Sequence, residues 1–547
     1  MEATPSATSP EKPSGVAPFA RNATGLVREL PLLDMLTYNA SAATPLAAVM
    51  ALSLFSVLVA FPGANLLVTL PLALLGGLFL WVTYSLMSAA MPRIGGDYLF
   101  VSRVIHPAVG LASNACAVCA GLTGAGFVAY AGVKLALAPT LQMVGALSGN
   151  SWWLHTANTV LEKGWTFAIG SVAVIATGVL AAIGTRFAGR IMTILYVIAF
   201  AGGIVVILIA LFTSRAGFVS HLNSFSRSFT HTANTYNSTI RAGAKAGLRY
   251  PSVAGYSSAN TIGAIVLVYG FSSAYQWGVY MSGEMKGAGR RSRQLTSMVG
   301  AALSQGVLLL LAILILTNTV GYNFLTASAG GSYSVPVAAY PNFFVGVVAG
   351  NLVAGLLGLS LLCAFLPWLY ANSSMTYRAP FAWAFDGLIP RRFTIVSERH
   401  HTPVVAITAM TTVCVGIVAW AAFSANFLTV IAFSFLWAYV SFTLVGLAAL
   451  LMPSRRREQY RGSGGEWKLG SVPVLPVAGA VTVGWNLFMI YLGLHFHTQV
   501  GIAHVSTAVY VIGGTIVVGA LYYFVASAVQ RRRGIDISLA FRAIPPE

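Results

Sequence analysis

Polar and small side chains interrupt the first long apolar segment of the chain from Tyr38 to Thr44, and Pro45 follows them. Proline lacks an N–H group and disfavours helical geometry in the residue before it, so Thr44 and Pro45 have the sequence of an N-cap and the first position of a new helix. Lipid cannot satisfy free N–H and C=O groups, so irregular backbone at membrane depth must lie within protein or line a cavity. The stretch predicts either a helix broken at a binding site or a spanning helix merely kinked by proline.

The composition places this stretch in a membrane protein. Of 547 residues, 57% are hydrophobic and only 8% are charged, and the mean hydropathy is +0.78. Soluble domains do not have this balance, so we expect an all-α integral membrane protein. Apolar segments of about 20 residues or more, long enough to cross a bilayer, occur twelve times. The predicted spans are Leu32–Phe61, Leu66–Met91, Pro107–Pro139, Trp165–Thr185, Ile191–Phe212, Thr261–Met281, Leu295–Val320, Phe343–Tyr370, Val404–Phe423, Leu428–Met452, Val474–His495 and Ser506–Val529.

The basic residues indicate how the chain is oriented. Most of the 31 Lys and Arg residues fall in predicted loops and tails on the side that holds both termini. Because cytoplasmic loops are enriched in Lys and Arg, we predict a multi-pass protein of the cell membrane with both termini in the cytoplasm. The net charge of +18 follows from this topology and from attraction to anionic lipid, so the lipid bilayer, and not nucleic acid, is the expected partner.

Metal and catalytic chemistry have little support in the sequence. Cys116 and Cys119 lie three residues apart in the third span, but no nearby His or further Cys accompanies them, so we predict small core residues and no metal or cofactor site. No transmembrane metal-ligand set, pair of carboxylates or Ser-His-Asp order stands out. We therefore expect no enzyme, and a membrane enzyme is kept as the rival class.

Three polar segments between the spans carry recognisable motifs. The second span ends in a helix stop and a glycine pair, within Pro92-Arg93-Ile94-Gly95-Gly96-Asp97-Tyr98. Ser282–Arg291 follows the sixth span, and Tyr377–Phe393, with Thr402-Pro403 after it, follows the eighth. These segments resemble, in the same order, the Pro-x-x-Gly-Gly-x-Tyr, Glu-x-Lys-Asn-Pro and Arg…Ala-x-Asp-Gly-x-Leu-Pro…Thr-Pro signatures of the amino acid–polyamine–organocation permeases. The Asn-Pro pair of the second signature is absent from this sequence. The resemblance extends from about Leu32 to at least Met452.

The resemblance implies a leucine-transporter-type core of ten helices, in which helices 1 to 5 and 6 to 10 form inverted repeats, plus two peripheral helices. The implied domain organisation is a disordered cytoplasmic tail at residues 1–30, a transporter core at 31–452 with repeats at about 31–213 and 258–452, a basic cytoplasmic loop at 453–473, helices 11 and 12 at 474–530, and a cytoplasmic C-terminal tail at 531–547.

The same resemblance implies that helices 1 and 6 are both broken at a shared central site. Val268–Gly278 in the sixth span supplies a partner break, because it holds two glycines and several hydrogen-bonding side chains. The predicted substrate-binding residues are Asn39, Ala40, Ser41, Ala42, Ala43, Thr44, Gly270, Phe271, Ser272 and Ser273, and the candidate gate residues are Tyr275 and Trp277.

Helix polarity at the two breaks suits a zwitterion. The outer half of helix 1 would present its N-terminus, with free N–H groups offered by Ser41 to Thr44, and the outer half of helix 6 would present free carbonyl groups. A carboxylate suits the first end and an ammonium group suits the second, which together match an α-amino acid. We therefore expect a secondary transporter of amino acids, a symporter or an exchanger.

Acidic residues narrow the expected substrate. Only Asp34 and Glu284 lie near a span, and both are close to predicted cytoplasmic ends. A polyamine would be expected to require a carboxylate, since an unpaired ammonium group is costly to bury. Neutral amino acids are the first choice, and a polyamine or organocation carrier and a non-transporting amino acid sensor are the alternatives. Ala199 stands where the resemblance places a lysine in some proton-coupled relatives, so the coupling ion, H⁺ or Na⁺, is open, as is the oligomeric state.

Overall fold

The computed structural model describes residues 26–43, 46, 57–248, 250–424 and 427–542. Helices dominate this part of the chain, as expected where lipid forces every backbone group to find a partner inside its own segment. A short antiparallel hairpin joins two of them, with β1 at Lys468–Leu469 and β2 at Val472–Pro473. The prediction of an all-α membrane protein is confirmed.

The first half of the chain forms the helices α1 to α11, and a π-helical turn at Gly132–Leu137 joins α4 to α5. The predicted long loop between the fifth and sixth spans contains α9, α10 and α11. The bounds are α1 Leu32–Ala42, α2 Leu66–Ala90, α3 Asp97–Val104, α4 Pro107–Ala131, α5 Ala138–Ser148, α6 Ser151–Val160, α7 Lys163–Ile183, α8 Thr185–Leu211, α9 Arg215–Thr230, α10 Thr235–Lys245 and α11 Pro251–Ala254.

The second half forms α12 to α22. A segment of 3₁₀ helix, Ser273–Glu284, directly continues α12 and is called the 3₁₀ segment below. Three π-helical turns, at Thr296–Gly300, Thr317–Gly321 and Ser328–Ser332, punctuate the seventh span, and short 3₁₀ turns occupy Arg391–Thr394 and Ile537–Phe541. The bounds are α12 Ser258–Ser272, α13 Arg291–Leu295, α14 Ala301–Leu316, α15 Tyr322–Ala327, α16 Pro341–Ala349, α17 Asn351–Phe385, α18 Val404–Phe423, α19 Phe427–Arg455, α20 Arg457–Tyr460, α21 Val474–His495 and α22 Val505–Arg532.

Eleven helical segments of the described chain are long and apolar enough to cross a membrane. Each overlaps one of the predicted spans from the second to the twelfth, and the third and seventh continue to Ser148 and Ser332, beyond their predicted ends. The first predicted span begins as α1, but most of its continuation, residues 44–45 and 47–56, lies outside the described residues. The count of twelve and the inverted-repeat layout therefore stay predictions.

The eighth span differs from its prediction at both ends. Phe343 belongs to the separate helix α16, and α17 begins only after Gly350, whose φ is +89°. At its other end α17 continues through Phe385, far beyond the predicted end at Tyr370. The polar run after Tyr370 looked like a loop, yet it is buried helix because Arg378 finds an acidic partner, described below.

Both ends of the described chain lie on one side of the bundle, which we call the terminal side. Val27 and Tyr98 line the same cavity of about 280 Å³, and the Tyr98 ring contacts Phe541 at a centroid distance of 6.5 Å. Arg456, directly after α19, donates hydrogen bonds to the carbonyl groups of Arg103 and Phe541 at 2.6 and 3.2 Å. These contacts attach the C-terminal segment to the helix that follows the glycine pair.

Candidate functional site

Helices α1 and α12 both lose α-helical geometry near the centre of the bundle. α1 ends at Ala42, and Ala43 leaves the helix with φ −97° and ψ 36°. α12 ends at Ser272, and the 3₁₀ segment takes its place. Long 3₁₀ stretches inside a helix are uncommon and mark hinges or strain. Thr44 and Pro45, the predicted start of the outer half of helix 1, lie outside the described residues.

Asn39 joins the two interrupted helices. Its Oδ1 atom accepts the backbone N–H of Gly278 at 2.8 Å, and its Nδ2 atom donates to the Ser297 carbonyl group at 3.0 Å. A Cβ atom at Gly278 would lie only 2.4 Å from Asn39 Oδ1, so glycine permits the contact. The Asn39 side chain, predicted to bind substrate, therefore holds α1 against the 3₁₀ segment.

A small cavity lies where the two interruptions meet. Its volume is about 10 Å³, room for about one water molecule, so the site is closed in this conformation. Four predicted site or gate residues line it: Ala43, Phe271, Ser272 and Tyr275. The other lining residues are Leu46, Leu70, Leu74, Val268, Gln305, Gly306 and Leu309, and no charged side chain is among them.

The other predicted residues of helix 1 face protein. Ala40, Ser41 and Ala42 are buried in the last turn of α1, and the Ser41 hydroxyl donates to the Thr37 carbonyl group at 2.7 Å. The last turn of a helix leaves carbonyl groups, not N–H groups, without intrahelical partners. Ser41 and Ala42 therefore bring C=O groups to the end of α1, whereas the N–H groups expected from Ser41 to Thr44 involve residues of which Thr44 lies outside the described part of the chain.

The break in helix 6 lies slightly later than its glycine suggested. Gly270 and Phe271 are inside α12, and a Cβ atom on Gly270 would lie 2.8 Å from the ring of Phe435. The hydroxyl groups of Ser272 and Ser273 donate to carbonyl groups of the last turn, those of Val268 and Gly270, at 2.7 and 3.3 Å. Gly270 is thus small for helix packing, while the two serines cap the helix end.

The two candidate gate residues differ in position. Tyr275 lines the cavity and makes an edge-to-face contact with Trp81 of α2, with ring centroids 5.2 Å apart. The Trp81 indole also donates to the Ser273 carbonyl group at 3.3 Å, which satisfies a backbone group freed by the break. Trp277 is buried but does not line the cavity.

Two buried glutamines near the break escaped the sequence analysis. Gln305 of α14 lines the cavity and donates to the Tyr196 hydroxyl at 2.9 Å, while its Oε1 atom has no hydrogen-bond partner among the described residues. Gln276 in the 3₁₀ segment is fully buried, and neither of its amide atoms has a partner there. The sequence feature that could have identified these glutamines is a polar side chain inside an apolar span.

Several contacts on the terminal side centre on Glu284. Glu284 at the end of the 3₁₀ segment pairs with Arg378 of α17 at 2.7 Å and accepts a hydrogen bond from Thr185 at 2.5 Å. Leu30 exchanges backbone hydrogen bonds of 3.0 Å with Glu284 and Lys286, in a parallel bridge. The start of α1 is therefore fastened to the end of the 3₁₀ segment.

Tyr38 fastens α1 to α17 a little deeper in the bundle. Its hydroxyl group lies 2.6 Å from the Ser374 hydroxyl and donates to the Ala371 carbonyl group at 3.0 Å. We call these contacts of Leu30, Tyr38 and Glu284 the terminal-side gate.

The glycine-pair motif packs directly against this gate. Gly95 and Gly96 have φ angles of +118° and +48°, and a Cβ atom on Gly96 would lie 2.9 Å from Val279 of the 3₁₀ segment. On the following helix Arg103 forms a bidentate ion pair with Asp386, at 2.7 and 2.8 Å. The structure thus brings together all three motifs read from the sequence.

The family model described as amino acid permease matches residues 35–521, which is most of the chain. The chain belongs to the amino acid permease family. The predicted resemblance to the amino acid–polyamine–organocation permeases is confirmed. No curated protein sequence matches the chain. The permease family transports amino acids and is not a class of enzymes, so the chain is a multi-pass membrane protein of a transporter family.

Proposed function

We propose that this permease is a secondary active transporter that moves neutral amino acids across the cell membrane by alternating access, as a symporter or an exchanger. The observation that carries the proposal is the cavity between the interrupted helices, where none of the described lining residues is charged. A substrate with net charge would need a buried counter-charge there, whereas a zwitterion can be held by helix ends.

The helix ends provide complementary groups for such a zwitterion. Carbonyl groups in the last turns of α1 and α12 suit the ammonium group, and the sequence predicts a helix start at Thr44 and Pro45 whose N–H groups would suit the carboxylate. The unsatisfied amide atoms of Gln276 and Gln305 add neutral polar groups close by. Phe271 and Tyr275 would contact the substrate side chain.

The closed cavity implies that substrate enters only after helices move. About 10 Å³ does not admit an amino acid, so both routes to the site are shut in this conformation. On the terminal side, opening would break the contacts of Leu30, Tyr38 and Glu284 described above. The mobile unit would comprise helices 1, 2, 6 and 7, as in the family layout. In the structure α2, which is helix 2, packs against α12 and the 3₁₀ segment of helix 6 and against α14 of helix 7.

The proposal also includes the orientation of the protein in the membrane and its domain organisation. The terminal side would face the cytoplasm because most basic residues lie there. The core at 31–452 would contain the two inverted repeats, and the helices of 474–530 would be peripheral. An even number of crossings agrees with both ends of the described chain lying on one side, and the predicted first span, Leu32–Phe61, would be the twelfth crossing.

A ligand panel distinguishes this proposal from its rivals. A ligand that binds only the folded state raises the melting temperature of the purified protein. We expect neutral amino acids to do so and polyamines not to, and Gln305→Leu to lose the shift while Ser304→Ala, an exposed neighbour on the same helix, keeps it. Stabilisation by polyamines alone would favour an organocation carrier. Binding without uptake into vesicles would favour a sensor.

A further inference from the structure

Asp97 is a buried carboxyl group to which the transport proposal gives no role. It begins α3 directly after the Gly95-Gly96 turn, and only 2% of the residue is exposed. Its Oδ2 atom accepts a hydrogen bond of 2.8 Å from the Ser441 hydroxyl of α19, while Oδ1 has no hydrogen-bond partner among the described residues. A charged carboxylate with one unpaired buried oxygen is costly, and protonation removes that cost.

The titratable groups that face Asp97 are neutral hydroxyls. α2 contributes Tyr84 and the 3₁₀ segment contributes Tyr280. The polar groups that α4 and α19 bring to this cluster, Asn114 and Ser441, do not titrate: Asn114 donates to the Tyr280 hydroxyl at 2.7 Å, and Ser441 donates to Asp97.

No cation compensates the Asp97 carboxylate within the described residues that face it. The charged residue of its own helix, Arg103, is already engaged by Asp386 in a bidentate pair. Burial therefore raises the pKa of Asp97 to about 6, against the opposing effect of the hydrogen bond from Ser441. The group can change its protonation state within the physiological range of pH.

Tyr84 suits both protonation states of Asp97. Its hydroxyl is buried and interacts with the same carboxyl group. A tyrosine hydroxyl can donate to a carboxylate or accept from a carboxylic acid. A proton on Asp97 Oδ1 would thus find an acceptor in Tyr84.

The same carboxyl group lies between elements that move relative to each other in the transport proposal. The turn before it presses on Val279 and Tyr280 of the 3₁₀ segment, which a Cβ atom on Gly96 would approach to 2.9 and 3.0 Å. Ser441 belongs to α19 in the surrounding scaffold. When the 3₁₀ segment leaves Gly96, water gains access to Asp97.

We propose that Asp97 is a proton-binding site that holds the terminal-side gate closed when it is protonated. The inference rests on the proposed transport function, because the terminal-side gate includes Glu284 at the end of the 3₁₀ segment, which moves in that proposal. In the closed state the carboxyl group is dry and prefers its neutral form, whereas in an open state water stabilises the carboxylate. The closed state therefore binds the proton more tightly, and acid on the terminal side favours closure.

The direction and size of the effect follow from linkage. The pKa of Asp97 is about 6 in the closed state, and an aspartate in water has a pKa of about 4. Between these two pKa values, the ratio of closed to open protein increases up to about tenfold for each unit by which the pH falls. Above about pH 7 the proton is absent from both states and no longer affects the gate.

A transport assay tests this dependence. Exchange of a labelled amino acid is measured in proteoliposomes at equal internal and external pH, from about 5 to 8, the range in which such a group titrates. We expect the wild-type rate to fall as the pH drops through about 6. Asp97→Asn, which resembles the neutral acid, is expected to be slow and independent of pH. Glu162→Gln, at an exposed residue before α7, keeps the wild-type profile.

Ser441→Ala gives an independent test with the carboxyl group in place. Loss of a hydrogen bond to the carboxylate raises the pKa, so the midpoint of the pH profile moves upward by about one unit. A merely structural role for Ser441 would lower the rate at every pH without moving the midpoint, and that result would contradict the proposal.

Infrared titration of the purified protein separates this inference from the transport proposal, because it needs no substrate. A carboxylic acid C=O band should appear as the pH falls through about 6 and should be missing in Asp97→Asn. If the band appears but the protein transports no amino acid, the result supports the proton site and counts against the proposed function. Transport with an unchanged pH profile in Asp97→Asn, or a band that persists in this variant, would overturn the proton site.

Discussion

Glu284 Oε1 lies 2.7 Å from Arg378 Nε, and only 5% of each side chain is exposed. The two residues come from different parts of the sequence, the end of the 3₁₀ segment and the last third of α17. Their ion pair joins an element that moves in the proposed transport cycle to one that stays in place. In that proposed cycle the ion pair would form and break.

Removing one partner of this pair should destabilise the closed protein. A buried charge left without its partner costs about 3 to 5 kcal/mol. We expect Arg378→Met to lower the free energy of unfolding in detergent by about 3 kcal/mol, and Glu284→Gln/Arg378→Met to recover most of the loss. Arg533→Met, at an exposed arginine, is the control. A double variant no more stable than Arg378→Met would show that the two charges do not stabilise each other.

Gly278 should tolerate no side chain while Asn39 is present. A Cβ atom there would lie 2.4 Å from Asn39 Oδ1, so Gly278→Ala should push the 3₁₀ segment away from α1 and abolish transport. Asn39→Ala/Gly278→Ala should regain folding, measured as the melting temperature. Gly355→Ala, a helical glycine of α17 with no atom within 4 Å of its Cβ position, should behave as wild type. A normal melting temperature for Gly278→Ala would contradict the tight contact.

The two candidate gate residues, Tyr275 and Trp277, should differ in how they affect the preference for substrates of different size. Tyr275 lines the cavity and Trp277 does not. Tyr275→Ala should therefore enlarge the site and improve uptake of bulky amino acids relative to small ones. Trp277→Ala should lower stability, since it removes a buried aromatic side chain, but leave the order of preference unchanged. An equal change of preference in both variants would contradict the assignment.

The C-terminal segment should stabilise the helix after the glycine pair. The Arg103 guanidinium carbon lies 4.8 Å from the centroid of the Phe541 ring, and the pair is buried. A desolvated cation–π contact contributes about 2 kcal/mol, so Phe541→Leu should lower the free energy of unfolding by about that amount. Leu539→Ala, at a residue that is 40% exposed, is the control. Equal losses in both variants would point to nonspecific docking of the segment.

The presence of each span from the second to the twelfth could be predicted from the sequence, because the length and hydropathy of a span follow directly from the thickness of the bilayer. The end of the eighth span was wrong for a physical reason. Considered alone, Arg378 is a charged residue that would end an apolar run. Its partner Glu284 is remote in sequence, so only the fold shows that the ion pair permits both residues to be buried.

The candidate site was predictable in outline only. Proline and small residues indicated the end of α1, and the serines after Gly270 lie at the end of α12. Gly270 itself was misleading, since its small size serves packing against Phe435. Leucines such as Leu70 and Leu74 of α2 look like any others in a span, so no sequence pattern could place them at the cavity.

The direct test of the account is uptake of a labelled neutral amino acid into proteoliposomes that contain the purified protein. We expect saturable uptake that unlabelled neutral amino acids compete away and polyamines do not. Gly278→Ala vesicles should show none, and Gly355→Ala vesicles should match wild type. Uptake inhibited only by polyamines, or stable binding of amino acids with no uptake, would contradict the proposed function.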